Sequence, residues 1–330
     1  MLVSILLFFL AIGIILGGAA VFTNGVEWLG RRLGLSDGAI GSILAGVATA
    51  LPETLIPVIA IFWGTTTSAA DIGLGAILGA PLMLSTITIP LLAGFLLVLA
   101  RMRHRSEKFE LDYGDVRLDL GFFLVAYTVA FIVALWPLPA MRYGAAIALI
   151  LMYVWYVKIH LTTGKANELE IPRLYFSPRA ASPPTALIVV QSAAGLLLLI
   201  GGAHMFVHVV EVLAQWLGVS PLIFSLLVAP IATELPEKLN SLLWVYQKKD
   251  ALAVGNITGA MVFQGTFPVS IGLIGTHWTL DTASMISLVL PVLATGLFYV
   301  QARWAGRWRP SVLILPVFLY AGYMLYLITR

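Results

Sequence analysis

The chain has 330 residues; 60% belong to the apolar set, only 11% are charged, and the mean hydropathy is +0.98. Soluble domains carry roughly a quarter charged residues, so this composition excludes disordered chains, coiled coils, secreted disulfide scaffolds and ordinary soluble enzymes together. The lack of cysteine removes disulfides, zinc–thiolate sites and thiol nucleophiles, and a net charge of +3 orients a membrane chain without pointing to nucleic acid.

A membrane span needs about 20 mostly apolar residues. Such runs, cut at charge clusters and Gly/Pro breaks, predict ten helices, near 2–23, 38–63, 71–100, 118–136, 140–160, 184–209, 219–246, 251–275, 282–302 and 311–329. The first reads as a span and not a cleavable leader, because no basic stretch precedes it. The runs do not alternate with period two, which excludes a β-barrel. Of the 19 Lys and Arg, 16 fall in loops opposite the termini; Arg142 and Arg330 fall on the terminal side, and Lys238 lies inside a span. The positive-inside rule then predicts a multi-pass cell-membrane protein with both termini extracytoplasmic.

Shifting the sequence by 184 residues superimposes Gly17–Glu53 on Gly201–Glu237 without a gap, with 16 of 37 positions identical. The match includes Leu33-Gly34 with Leu217-Gly218 and ends in Ala48–Glu53 against Ala232–Glu237. After a short deletion, Gly75–Gly79 matches Gly255–Gly259. Five spans per half force the halves to insert upside down relative to each other. The predicted fold is therefore an all-α polytopic membrane protein, ten transmembrane helices in two inverted five-helix repeats. Residues 1–160 form the first repeat, 161–183 a cytoplasmic linker and 184–330 the second repeat; the α-repeats proper cover about 38–100 and 219–275. Inverted repeats with interrupted helices mark alternating-access transporters, whose sites lie near the bilayer midplane. A second polar stretch, Arg101–Arg117, mixes both signs and reads as solvated.

Glu53, Glu234 and Glu237 sit in mid-span. An ionisable residue at bilayer depth costs at least about 2.5 kcal/mol and marks a functional pathway by default. Pro52 and Pro236 directly precede two of these glutamates. Proline frees a carbonyl one turn back, so open carbonyls are expected near Thr49 and Thr233. Carbonyls and carboxylates are what a hard cation such as calcium requires. The bland alternative is glutamates merely hydrogen-bonded between helices.

These residues resemble the sodium/calcium exchangers of the cation/calcium exchanger superfamily. The family motif Gly-Thr-Ser-Leu-Pro-Glu is seen as Ala48–Glu53 and Ala232–Glu237, and its second motif as Gly75–Leu84 and Gly255–Gln264. The resemblance implies a transported-calcium site built from Glu53 and Glu237 with the backbone carbonyls of Thr49 and Thr233. The departures fall on the sodium ligands. The first-motif serines are Ala50 and Glu234, the second-motif serines are Ala80 and Ala260, and the Asn/Asp pair is Leu84 and Gln264. Divalent transport is thus better supported than sodium coupling.

Glu234 lies three residues before Glu237 and four before Lys238, so the three share a helical neighbourhood. Lys238 could supply permanently the charge that sodium would bring, or simply snorkel along its span. Glu234 could instead exchange a proton, since crowded buried carboxylates bind protons more tightly. Asn240 and Asn256 are possible accessory ligands or helix contacts. His204, His208 and Glu211 share one helical face at a spacing that zinc can use, although such histidines are more often interfacial. Glu27 and Glu211 are repeat mates near span ends, where they read as interfacial or as lining a vestibule, and Gly13, Gly17 and Gly18 suggest close helix approach. The Trp and Tyr residues are expected at the membrane interfaces.

The sequence therefore predicts a secondary antiporter and not an enzyme. It would move calcium or another divalent cation in exchange for sodium or protons across the lipid bilayer, with no resident cofactor. The alternative is a divalent-cation channel or uncoupled facilitator.

Overall fold

The computed structural model describes residues 1–34, 50–65, 68–163 and 171–329, apart from the side chains of 161–163 and Pro236. Among these residues there is no β-strand. The helices are α1 (Leu2–Arg32), α2 (Leu51–Trp63), α3 (Ala69–Arg101), α4 (Tyr113–Leu135), α5 (Pro139–Thr163), α6 (Thr185–Leu217), α7 (Pro221–Tyr246), α8 (Asp250–Gly275), α9 (Thr282–Ala305) and α10 (Pro310–Ile328). Eight are long and apolar enough to cross a membrane; α2, with 13 residues, and the apolar part of α7, Pro221–Leu235, are shorter. The predicted span 38–63 lies partly outside the described residues, and the predicted span 219–246 carries Glu234, Glu237 and Lys238 within it.

Local chemistry sets the helix ends. Asp112 caps α4 by accepting from the Gly114 amide at 2.7 Å, and Asp281 caps α9 by accepting from Ser284 at 2.8 Å, the usual work of an N-terminal carboxylate. The repeated Leu-Gly pairs terminate α1 and α6. Gly34 has φ +72° and Gly218 has φ +69°, a left-handed conformation that costs other residues about 1–2 kcal/mol. In α3 a π-helical turn covers Leu84–Thr88, just before Pro90. The ring cannot donate to the carbonyl one turn back, and the wider turn absorbs the mismatch. Ser85 Oγ donates to the Pro81 carbonyl at 2.7 Å and Thr88 Oγ1 to that of Met83 at 3.3 Å, satisfying backbone where there is no water.

The chain divides into two compact units, Met1–Gly73 with Val154–Phe224 and Leu74–Tyr153 with Ser225–Arg330. Each draws on residues from both halves of the sequence.

In the first unit α1 and α6 pack along their length. A methyl group at Gly18 would lie 3.0 Å from Leu198 Cβ, one at Gly195 would lie 2.5 Å from the Phe22 amide nitrogen, and one at Gly202 would lie 2.9 Å from Ile15. Small residues there let the backbones approach, as lipid-embedded helices require. Of the glycines singled out in the sequence, only Gly18 lies in this seam; Gly13 and Gly17 face open space. The seam also carries a buried polar network. Gln191 Nε2 donates to Asn24 Oδ1 at 2.9 Å and to the Val21 carbonyl at 3.1 Å, and Gln191 Oε1 accepts from the Phe176 amide at 2.8 Å. The Pro172 carbonyl accepts from Trp28 Nε1 at 2.9 Å. The linker residues 171–184 are thus tied to α1 and α6, with Leu174 buried against Trp28 and Ile188.

In the second unit α8 and α9 pack against α4. The stretch 101–117, expected to be solvated, is partly buried. Arg105 and Phe109 are enclosed, and His104 stacks on Tyr246 with ring centroids 4.7 Å apart. A buried acidic partner, Asp250, draws the loop in. The aromatic expectation is also only partly met. Trp63, Trp136, Trp155, Trp216 and Trp304 are exposed, but Trp278, Trp308 and Tyr127 are core residues. Trp278 Nε1 finds the Ala130 carbonyl at 3.1 Å, the partner a buried indole needs.

Candidate functional site

Helix α7 is polar on its buried face and apolar on its exposed one. Ile231, Leu235, Leu239 and Leu243 are exposed, whereas Thr233, Glu234 and Ser241 are buried. Spacings of three and four residues keep Pro230, Thr233, Glu234, Glu237, Lys238 and Ser241 on one side. In a soluble protein this helix would be inside out; in lipid it marks a helix whose inward face handles charge.

On that face Glu237 Oε2 is buried and has no hydrogen-bond partner among the described residues. A buried carboxylate oxygen left this way is costly unless a cation or proton joins it. Glu234 Oε2 lies 3.1 Å from Lys238 Nζ, and that ammonium also reaches Met83 Sδ at 2.7 Å and the Pro230 carbonyl at 3.4 Å. Thr233 Oγ1 donates to the Ala229 carbonyl at 3.1 Å, and its own carbonyl lies within the unbroken turns of α7. The expected unwinding at Pro236 does not occur, since α7 runs unbroken over Pro221–Tyr246. The carbonyl one turn before Pro236 belongs to Ala232, and a helix tolerates one lost bond while the flanking turns hold.

Asn256 of α8 donates to Ser241 Oγ at 3.1 Å and to the Glu237 carbonyl at 3.4 Å, a contact between α7 and α8. Gln264 is buried on α8, and Asn240 is on the exposed face of α7. Helix α3 meets α7 closely. A methyl at Gly79 would collide with the Leu226 carbonyl, the group that Pro230 leaves without a helical donor.

Glu53 belongs to the other unit. It is buried in the first turn of α2, behind Ala50 as the capping residue and Pro52. The positive end of the helix dipole favours a carboxylate there. Thr54 Oγ1 donates to the Ala50 carbonyl at 2.9 Å. Thr49 lies outside the described residues.

Among the described residues no group of three or more His, Asp or Glu is gathered to hold a metal ion. The zinc spacing in α6 is therefore not realised. His204 and His208 are exposed, while Glu211 turns inward and accepts from Ser68 Oγ. Glu211 is thus buried and not interfacial, because Ser68 supplies the donor that its burial demands; its mate Glu27 is half-buried.

Two buried acids escape a sequence reading. Asp119 Oδ2 accepts from Thr258 Oγ1 at 2.5 Å, joining α4 to α8, and Asp250 holds Arg105. Both stand beside basic residues at predicted span ends, where an acid reads as solvated. The signal that could have found Asp119 is its position two residues inside the predicted span 118–136.

The family description "Sodium/calcium exchanger protein" matches residues 3–162 and 187–329. The chain belongs to the sodium/calcium exchanger family. Its relatives include CaxA of Alkalimonas amylolytica, 24% identical over 344 residues, with 98% of each chain covered. Among solved structures, the H+/Ca2+ exchanger CAX shares its fold with a TM-score of 0.74 and 16% identity, covering 99% of this chain and 87% of that one. The sodium-calcium exchanger NCX_Mj shares it with a TM-score of 0.60 and 18% identity, covering 98% of each. In this exchanger-family chain the motif departures Ala80 and Leu84 are buried side chains of α3 without oxygen.

Proposed function

We propose that this chain is a secondary-active antiporter that moves calcium, or another divalent cation, in exchange for sodium or protons by alternating access. Its transmembrane domain would comprise two inverted five-helix repeats, with both termini extracytoplasmic. Glu53 and Glu237, equivalent residues of the two repeats, would be the carboxylates that bind the cation near the midplane. The carbonyls of Thr49 and Thr233 and the amide of Gln264 would add neutral oxygens, matching calcium's need for six to eight. Glu234 would stand beside Glu237 on the same face.

The observation that carries this reading is Glu237 Oε2, buried without a donor on an inward-facing helix of an exchanger-family chain. A carboxylate kept in that condition is one that a cation visits. The names of CAX and NCX_Mj support calcium as the cargo, and they differ in the ion exchanged for it.

The test is calcium-45 uptake into proteoliposomes under an imposed sodium gradient, then under a pH gradient. Uptake driven by either gradient, and lost in Glu53→Gln and in Glu237→Gln, supports antiport. Uptake that follows only the calcium gradient supports an uncoupled facilitator, the reading favoured by the oxygen-free residues at positions 50, 80, 84 and 260.

A further inference from the structure

The proposed cycle leaves open the roles of two charged residues of α7, Glu234 and Lys238. The second decides the first. The Lys238 ammonium forms an ion pair with Glu234 Oε2 at 3.1 Å and donates to the Pro230 carbonyl at 3.4 Å and to Met83 Sδ at 2.7 Å. The side chains of Lys238 and Glu234 are 11% and 3% exposed. A lysine escaping to the membrane surface extends toward the nearer interface. This one reaches back along α7, to residues four and eight positions before it.

The repeat gives an independent line of argument. Shifted by 184 residues, Glu234 corresponds to Ala50 and Lys238 to Thr54. Both members of the pair are thus present in one repeat and both are absent from the other, where Thr54 Oγ1 bonds the Ala50 carbonyl at 2.9 Å. One negative and one positive charge arrive together and leave the net charge of the face unchanged. Adding Glu234 alone would bury a carboxylate that needs a cation from solution. Adding Lys238 four residues later, on the favourable side of an i,i+4 pair, supplies that cation from the chain.

We infer that Lys238 is a resident counter-cation that occupies the place beside Glu234 which a mobile monovalent cation would otherwise take, so sodium neither binds there nor couples transport through it. This specifies the exchange ion of the proposed antiporter and rests on that reading for its link to transport; the binding statement concerns Glu234 and Lys238 alone. Glu53 and Glu237 are left as the pair whose two charges one divalent cation or two protons can balance.

The test uses the purified full-length protein. Thermal unfolding in detergent is measured in sodium chloride and in choline chloride at equal ionic strength, for the wild type, Lys238→Met and Glu234→Ala/Lys238→Thr. The wild type is expected to show the same Tm in both salts. Lys238→Met, with Glu234 released, gains a sodium-dependent rise of about 2 °C or more, and the double variant loses it. A sodium-dependent Tm in the wild type overturns the inference, as does a folded Lys238→Met that ignores sodium. If Lys238→Met does not fold, the wild type and the folded double variant still decide, since sodium must leave both Tm values unchanged. Calcium-45 exchange by the wild type in proteoliposomes must likewise persist when choline replaces sodium on both sides, and a sodium requirement there overturns the inference. Absence of calcium flux under every gradient would instead defeat the antiporter reading while leaving the Tm comparison intact.

Discussion

Arg105 meets Asp250 through two parallel hydrogen bonds, Nη1 to Oδ1 at 2.7 Å and Nη2 to Oδ2 at 2.5 Å, with side chains 3% and 0% exposed. Arg105 Nη1 also donates to the Val245 carbonyl at 2.7 Å, and the Glu110 amide donates to Asp250 Oδ2 at 2.8 Å. The pair therefore ties the α3–α4 loop to the junction of α7 and α8. Removing one partner of a buried pair strands the other charge, at a cost of about 3–5 kcal/mol. Asp250→Ala is expected to lower the Tm in detergent markedly. Arg105→Leu/Asp250→Leu should recover part of that loss, because no lone charge remains; a double variant as unstable as the single one would contradict this account.

The α1–α6 seam predicts a contrast between neighbouring glycines. Gly195→Val should destabilise by about 1–3 kcal/mol through overpacking, since Phe22 backbone occupies the space. Gly17→Val, where nothing lies within 4 Å, should leave the Tm nearly unchanged. Thermal unfolding of the two variants side by side checks the assignment.

Glu211 accepts from Ser68 Oγ in a buried setting. Ser68→Ala removes this donor and should cost about 1–3 kcal/mol, the penalty for a buried acceptor deprived of a partner. Glu211→Gln, which keeps an oxygen acceptor in place, should cost less. Chemical or thermal unfolding curves for the two variants give the comparison.

Glu237→Gln keeps the shape of the side chain and removes its charge. If Glu237 binds the transported cation, the variant should fold with a Tm at or above that of the wild type, since an uncompensated buried charge is gone. Its calcium-45 uptake should fall to the background of empty vesicles. A variant that transports normally would remove Glu237 from the ion path.

The membrane class, the repeat and the motif glutamates were legible in the sequence because each rests on a local or periodic signal. Apolar runs, the Leu-Gly pairs that became left-handed helix caps at Gly34 and Gly218, and the Pro-Glu dipeptides need no partner to be seen. Positions that depend on a partner were misread. Arg105 looked solvated because charges of both signs surround it, yet Asp250 lies 145 residues away in the chain. Glu211 looked interfacial because it lies near the end of a predicted span, whereas its burial depends on Ser68.

Hydropathy and repetition, properties of the chain itself, determined that this is a helical membrane protein with an internal repeat and acidic residues in its apolar segments; the motif residues added the resemblance to the exchangers. Tertiary structure decided which distant groups meet: Lys238 with Met83, Asp119 with Thr258, Arg105 with Asp250. The physical reason is that burial in lipid can be read from composition, while the partner that makes a buried charge tolerable is chosen by packing between distant segments.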